Sequence, residues 1–177
     1  MPPSPRRLHR PNRSEMPARG RLIALEGIDG CGKSTQAAAL AEALGARLTF
    51  EPGATPVGSR LRELLLNTDD VPPSPRAEAL LMAADRAEHV ARVLTPALTA
   101  GEWVVTDRYA GSTIAYQGYG RGLDPGEVAR LSEWASAGVE PDRVVLLRTG
   151  RISSRSTASR CIAPDRPRWP HSARRRN

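Results

Sequence analysis

The scarcities of this chain narrow its class before any motif is read. Two cysteines in 177 residues, Cys31 and Cys161, supply no paired spacing for a disulfide framework or a zinc site. No apolar run approaches the roughly eighteen residues that a membrane-crossing helix needs, so a soluble chain with no membrane partner is expected. The first twenty residues are basic and Pro-rich but have no apolar stretch, which is not the pattern of a secretory signal. The cytoplasm is therefore the expected location.

Lysine occurs once, against twenty-five arginines. The net charge of +7 is unevenly placed: residues 1–20 carry five arginines and one acid, and residues 148–177 carry nine arginines and one acid. Residues 21–147 carry twelve basic and seventeen acidic side chains, so the middle is acidic. A basic tail can hold phosphate backbones nonspecifically, but no recognition helix or base-stacking sheet is legible and nucleic acid is not an expected partner.

The single lysine, Lys33, stands in Gly27-Ile28-Asp29-Gly30-Cys31-Gly32-Lys33-Ser34, a complete G-x-x-x-x-G-K-[ST] phosphate loop. Glycines let such a loop curl so that successive backbone N–H groups face phosphate oxygens, and the following helix N-terminus adds positive partial charge. Lys33 would reach the β and γ phosphates. Ser34, with Thr35 behind it, offers a hydroxyl to Mg²⁺, which takes hard oxygen ligands and arrives with the nucleotide. Nucleoside-triphosphate-binding residues are thus expected from Gly27 to Thr35, at Gly27, Ile28, Asp29, Gly30, Cys31, Gly32, Lys33, Ser34 and Thr35. A chance Gly-rich turn is the bland alternative, and the context speaks against it. Arg21–Glu26 reads as a short buried strand and Gln36–Leu44 as a helix ended at Gly45.

Further along, Gly45–Phe50 reads as a strand with Leu48 and Phe50 on one face, followed by the turn Glu51–Pro56. Helices are predicted over Val57–Leu66, Arg76–Leu94 and Asp124–Ala137, and strands over Trp103–Thr106 and Val144–Leu147. Alternating strands and helices imply an α/β fold: a parallel sheet covered on both faces, with ligands outside the carboxyl ends of the strands. Residues 1–20 read as a disordered leader, with Met16 as an alternative start to Met1, and 21–147 as the folded domain that carries the phosphate loop.

Asp107-Arg108-Tyr109 follows a strand. Near Lys33, such a carboxylate can hold Mg²⁺ directly or through water, and the arginine can clamp a phosphate; alone, the pair could equally cap the sheet as a surface ion pair. Lys33, Asp107 and Arg108 are the candidate catalytic residues, and Ser34 and Asp107 the candidate metal ligands.

Four segments in order resemble bacterial thymidylate kinase: EGIDGCGKSTQ from Glu26, Glu51-Pro52-Gly53 with Gly58 and Arg62, LLMAADR ending at Arg86, and DRYAGSTIAYQGYGRG from Asp107. The resemblance implies the P-loop nucleoside-monophosphate-kinase fold, ATP and Mg²⁺, dTMP as acceptor with dTDP as product, and a homodimer. It also implies that Arg108 and Arg62 hold the dTMP phosphate, with Asp107 and Glu51 arranging magnesium and water nearby. Asp29 would face the deoxyribose 3′-hydroxyl, Arg86 a thymine carbonyl, Thr113 and Gln117 the base edge, and Tyr116 the space of a ribose 2′-hydroxyl. Met82 takes the place of the family's ring-stacking Phe, and Ser112 completes the substrate-binding set. On the residues alone, Tyr116 could be a packed core aromatic and Arg86 part of a solvated helix face.

The resemblance ends near Leu147. Residues 148–177 show neither helical nor strand periodicity and read as a disordered, Arg-rich segment, translated out of frame or a genuine basic arm. The family's mobile lid would lie there. Its arginine contributes to catalysis in relatives with Gly at the position of Gly30, so low turnover is expected. A sheet lacking its final strand and covering helices is expected to expose apolar surface on Val104, Val145 and their neighbours. Two other readings stay open: a P-loop kinase with a different small acceptor, and a noncatalytic nucleotide-binding remnant with a basic tail.

Overall fold

The computed structural model describes residues 19–66 and 71–148. The expectations for residues 1–18 and 149–177, including the leader and most of the Arg-rich tail, lie outside the described residues.

Among the described residues four parallel strands form one sheet in the order β2-β3-β1-β4: β1 Leu22–Gly27, β2 Arg47–Phe50, β3 Val104–Asp107 and β4 Arg143–Leu147. Alternation along β1 sends Leu22 and Ala24 to one face and Leu25 to the other. The first face packs Leu22, Ala24 and Val104 against Val90, Leu94, Ala97 and Leu98. The second packs Leu25 and Val105 against Ala37 and Ala41 of helix α1, Lys33–Leu44. Both faces are covered by helices, as the alternating pattern predicts.

Helix α1 starts at Lys33, three residues earlier than its apolar spacing suggests, because the phosphate loop leads straight into its first turn. Helix α2 spans Pro56–Leu66 and α3 Pro75–His89. The chain then continues as a π-helical turn, Val90–Leu94, into α4, Thr95–Thr99. Pro96 has no N–H to donate, and the wider turn lets the Thr95 N–H reach the Val90 carbonyl, so the helix persists past the predicted stop at Leu94. Helix α5, Ala110–Thr113, runs into a second π-helical stretch, Ile114–Gly120. Helix α6 spans Pro125–Ser136, capped at its start by Asp124, whose carboxylate accepts from the Glu127 N–H at 2.8 Å.

Leu48 and Phe50 share a face of edge strand β2, as expected; that face is exposed, and Thr49 is the buried residue, bonded to His89. Two expectations need correction. Val104 is wholly buried between β1 and β2, and exposure on the last strand falls on Val144 and Leu146, at the free edge of β4 among the described residues. Gly20, assigned by sequence to the leader, is buried and donates to the Leu98 carbonyl at 2.8 Å.

Parallel register aligns the carboxyl ends. Leu25 pairs with Asp107, Phe50 with Asp107, and Gly27 with Leu147, so the phosphate loop, Glu51 and Asp107-Arg108 emerge at one edge.

Candidate active site

The phosphate loop leaves β1 at Gly27, whose φ of 148° and surroundings exclude any side chain: a Cβ would lie 2.4 Å from the Leu147 carbonyl oxygen. Lys33, 6 % exposed, folds over the loop, and its Nζ donates to the Ile28 carbonyl at 2.6 Å and lies 4.0 Å from the Asp29 carboxylate. Ile28, Asp29 and Gly30 are exposed along the rim, Cys31 is half-buried, and Gly32 precedes α1 with a positive φ. Thr35 is exposed in the first turn of α1.

Ser34 Oγ donates to Asp107 Oδ2 at 2.6 Å, joining the loop to the end of β3. The other oxygen of Asp107, Oδ1, is buried and has no hydrogen-bond partner among the described residues. A hydroxyl beside an under-used carboxylate is the hard-oxygen chemistry Mg²⁺ takes, with remaining positions left for phosphate and water. The pair therefore fits that ion.

Arg108 has a left-handed backbone, φ 74°, uncommon for a residue with a side chain and tolerated here in the turn between β3 and α5. Its Nη1 donates to the Gly27 carbonyl at 3.2 Å and to Ser112 Oγ at 2.9 Å, and its Nη2 pairs with Asp29. The guanidinium lies 5.3 Å from the centre of the Tyr116 ring, whose hydroxyl donates to Asp29 at 2.9 Å. The Tyr116 hydrogen bond, with Arg108 and Lys33 nearby, holds the Asp29 carboxyl below its usual range. Tyr116 is 41 % exposed, so it is no core aromatic.

Arg86 is fully buried, which disposes of a solvated helix face. Its Nε and Nη2 both donate to Glu51 Oε2, at 3.0 and 2.8 Å, while Nη1 reaches Ser132 at 3.1 Å and Nη2 reaches Thr113 at 2.9 Å. His89 Nδ1 donates to the second oxygen of Glu51 at 2.8 Å, so both oxygens of this buried carboxylate are engaged. Glu51 thus ties α3 to the end of β2 instead of facing the loop edge with a free oxygen. Arg62 is exposed on α2, where it donates to the Pro52 carbonyl at 2.7 Å and lies over Phe50. Met82 is half-buried on α3.

Gln117 is buried, and its Nε2 donates to Glu78 at 2.7 Å while its Oε1 has no partner. Glu78 also pairs with Arg121 at 3.0 Å, and Glu78, Tyr116, Gln117, Gly120 and Arg121 line an open cleft of about 250 Å³. The structure thus brings Lys33, Ser34, Asp107, Arg108, Asp29, Ser112 and Tyr116 into one connected set. Glu51, Arg86 and Thr113 form a second, buried set linked to it through the β2 and β3 ends.

Sequence reasoning gave no role to Glu26, Glu78, Asp85, His89 or Ser132. Glu78, Met82, Asp85, Arg86 and His89 recur at helical spacing, and this polar face of α3 is the signal that could have found them. Glu26 was legible only as a charge ending an apolar strand. Burial pushes its carboxyl above the usual range, while hydrogen bonds from Ser112 and Tyr109 and the charge of Arg108 pull it back.

The family model described as thymidylate kinase matches residues 25–162, reaching beyond Leu147, where the resemblance by motif stops. Thymidylate kinase of Synechococcus sp. (strain CC9605) is 54 % identical over 140 residues, covering 73 % of this chain and 67 % of the relative. That of Synechococcus sp. (strain CC9902) is 56 % identical over 134 residues, covering 70 % and 64 %. The chain therefore spans about two thirds of the length of these curated relatives. The crystal structure of thymidylate kinase from Ehrlichia chaffeensis superposes with a TM-score of 0.68 at 36 % identity, covering 73 % of this chain and 75 % of that one. The fold is that of the P-loop nucleotide kinases, and the chain belongs to the thymidylate kinase family.

Proposed function

We propose that this chain is a phosphotransferase that moves the γ-phosphoryl of ATP onto the phosphate of dTMP, giving dTDP and ADP. The observation that carries the reading is the 2.6 Å contact of Ser34 with Asp107, which sets the phosphate loop against the end of β3 immediately beside Arg108. Donor and acceptor phosphates would then meet between Lys33 and Arg108.

In this reading the loop backbone from Gly27 to Thr35 and Lys33 hold the ATP phosphates, and Arg108 orients the acceptor phosphate, with Arg62 approaching from α2. An acceptor oxygen attacks the γ phosphorus, the bond to the β–γ bridging oxygen breaks, and ADP leaves. Such transfers rest on positioning and charge neutralisation, which lysine, arginine and backbone N–H groups supply. Mg²⁺, when bound at Ser34 and Asp107, neutralises charge on the phosphate oxygens. Asp29 and Tyr116 flank the sugar side, Met82, Arg86, Thr113 and Gln117 belong to the base side, and Ser112, bonded to Arg108, belongs to the phosphate side. The homodimer and the cytoplasmic location come with the same family reading. Among the described residues no helix is long and apolar enough to cross a membrane.

The test is ADP release in the presence of ATP, Mg²⁺ and each of dTMP, dUMP, dGMP and dCMP. Release should depend on dTMP above the others and fall at least about a hundredfold in Lys33→Ala, the scale for removing one preorganised charge-stabilising group. Release that ignores dTMP would sink the activity, and preference for another monophosphate would reassign the acceptor.

A further inference from the structure

Glu26 ends the apolar run of β1, and nothing in the proposed reaction uses it. Its side chain is buried, and one carboxylate oxygen accepts from the backbone N–H groups of Tyr109 and Ser112, at 3.0 and 3.1 Å. The other accepts from the Ser112 hydroxyl. The chain passes so close that a Cβ on Gly111 would lie 2.9 Å from this carboxylate. Among the described residues three donors converge on Glu26 and no acceptor does.

This arrangement fixes a polarity. A carboxylate only accepts, so the Ser112 proton points at Glu26 and a lone pair of Ser112 Oγ is left for Arg108, whose Nη1 donates to it at 2.9 Å. The Tyr109 and Ser112 N–H groups, held by the same carboxylate, open helix α5 directly after the left-handed Arg108. Glu26 thereby holds both the backbone that follows Arg108 and the hydroxyl that orients its guanidinium. Ser112 is itself buried, with its hydroxyl engaged on both sides.

We infer that Glu26 is a positioning residue for the acceptor phosphate: acting through Ser112, it directs the Arg108 guanidinium toward that phosphate. Ser112 then serves the substrate through Arg108 and not by direct contact. The inference rests on the proposed role of Arg108 as the acceptor clamp.

The experiment compares dTMP with thymidine, which lacks the phosphate, by calorimetric titration of the full chain. The unaltered protein should bind dTMP more tightly than thymidine. In Glu26→Gln the amide places a donor against the Ser112 hydroxyl, so dTMP affinity should fall at least about tenfold, the scale for a hydrogen bond to a charged group, with thymidine affinity unchanged. Ser112→Ala cuts the same relay while keeping Glu26, and it should show the same phosphate-selective loss. It decides the matter if Glu26→Gln does not fold. Equal losses for both ligands, or no loss for either, would overturn the inference while leaving the kinase reading intact. An unaltered chain that binds dTMP no better than thymidine would overturn the role of Arg108, and this inference with it.

Discussion

Asp85 is enclosed between α3 and the turn after β2, with Oδ1 accepting from the Gly53 N–H at 2.9 Å and Oδ2 buried without a partner. Desolvation, with the nearby Glu51 charge adding to it, pushes its carboxyl from 3.8 to about 6, against the pull of the Gly53 hydrogen bond, His89 and Arg86. The sign follows from linkage: the folded state favours the protonated acid, so the stabilisation is complete below pH 3.8 and lost as pH rises through about 6. Asp85→Ala should therefore destabilise the fold more near pH 4.5 than near pH 7.5. The difference should be about 1 kcal/mol once solvent screening and the cationic neighbours are allowed for. Urea unfolding at both pH values checks it, and a larger cost at the higher pH would show that the ionised form is the one the fold prefers. The same neighbourhood shows what single residues concealed. Lys33 and Ser34 were legible because a phosphate loop has a strict spacing, and Asp107 because a carboxylate follows a strand whose end meets that loop. The burial of Arg86 was not, because its partners Glu51, Thr113 and Ser132 are 35, 27 and 46 residues away.

Among the secondary elements, the Arg86–Glu51 pair is the main polar tie, since its hydrogen bonds join α3, the end of β2, α5 and α6. Removing one partner leaves a buried charge uncompensated, so Arg86→Ala should cost about 3–5 kcal/mol, read as a lower urea midpoint, whatever it does to dTMP binding. A cost below about 1 kcal/mol would place Arg86 in contact with solvent. Helix α6 offers the opposite sign: Ala137 closes it with φ 47°, a conformation that suits glycine. Ala137→Gly should leave stability unchanged or raise it by up to about 1 kcal/mol, because relief of backbone strain opposes the greater freedom of glycine in the unfolded chain. All four strands and the helices α1, α2, α3 and α6 could be read from apolar spacing and their Gly and Pro boundaries. The continuation through Pro96 could not, since it depends on a wider turn that the spacing does not encode. Nor could the inversion on β2, where the polar Thr49 is buried by His89 and the apolar Leu48 and Phe50 are left outside.

Across the whole molecule, the charge map and the topology point the same way. The acidic stretch 21–147 holds the phosphate loop and Arg108, so in the proposed reading phosphate would be bound by a few cations and loop N–H groups and not by a basic surface. These groups sit on adjacent parallel strands, β1 and β3, and a bound nucleotide would brace the two central strands of the sheet against each other. Any ligand that binds only the folded state stabilises it by mass action. ATP with Mg²⁺ at about 100 times its Kd should add about 2.7 kcal/mol, a rise in Tm of roughly 5–10 °C for a chain of this size. Chelating the metal should reduce the rise, because Asp107 and Ser34 would then lose the ion that couples them to the phosphates. Lys33→Ala should abolish it while leaving the separate rise from dTMP, whose contacts, in the proposed reading, would lie on Arg108 and its neighbours. A Tm rise with ATP that survives both chelation and Lys33→Ala would mean that the nucleotide binds elsewhere, and the assignment of the loop would fail with it.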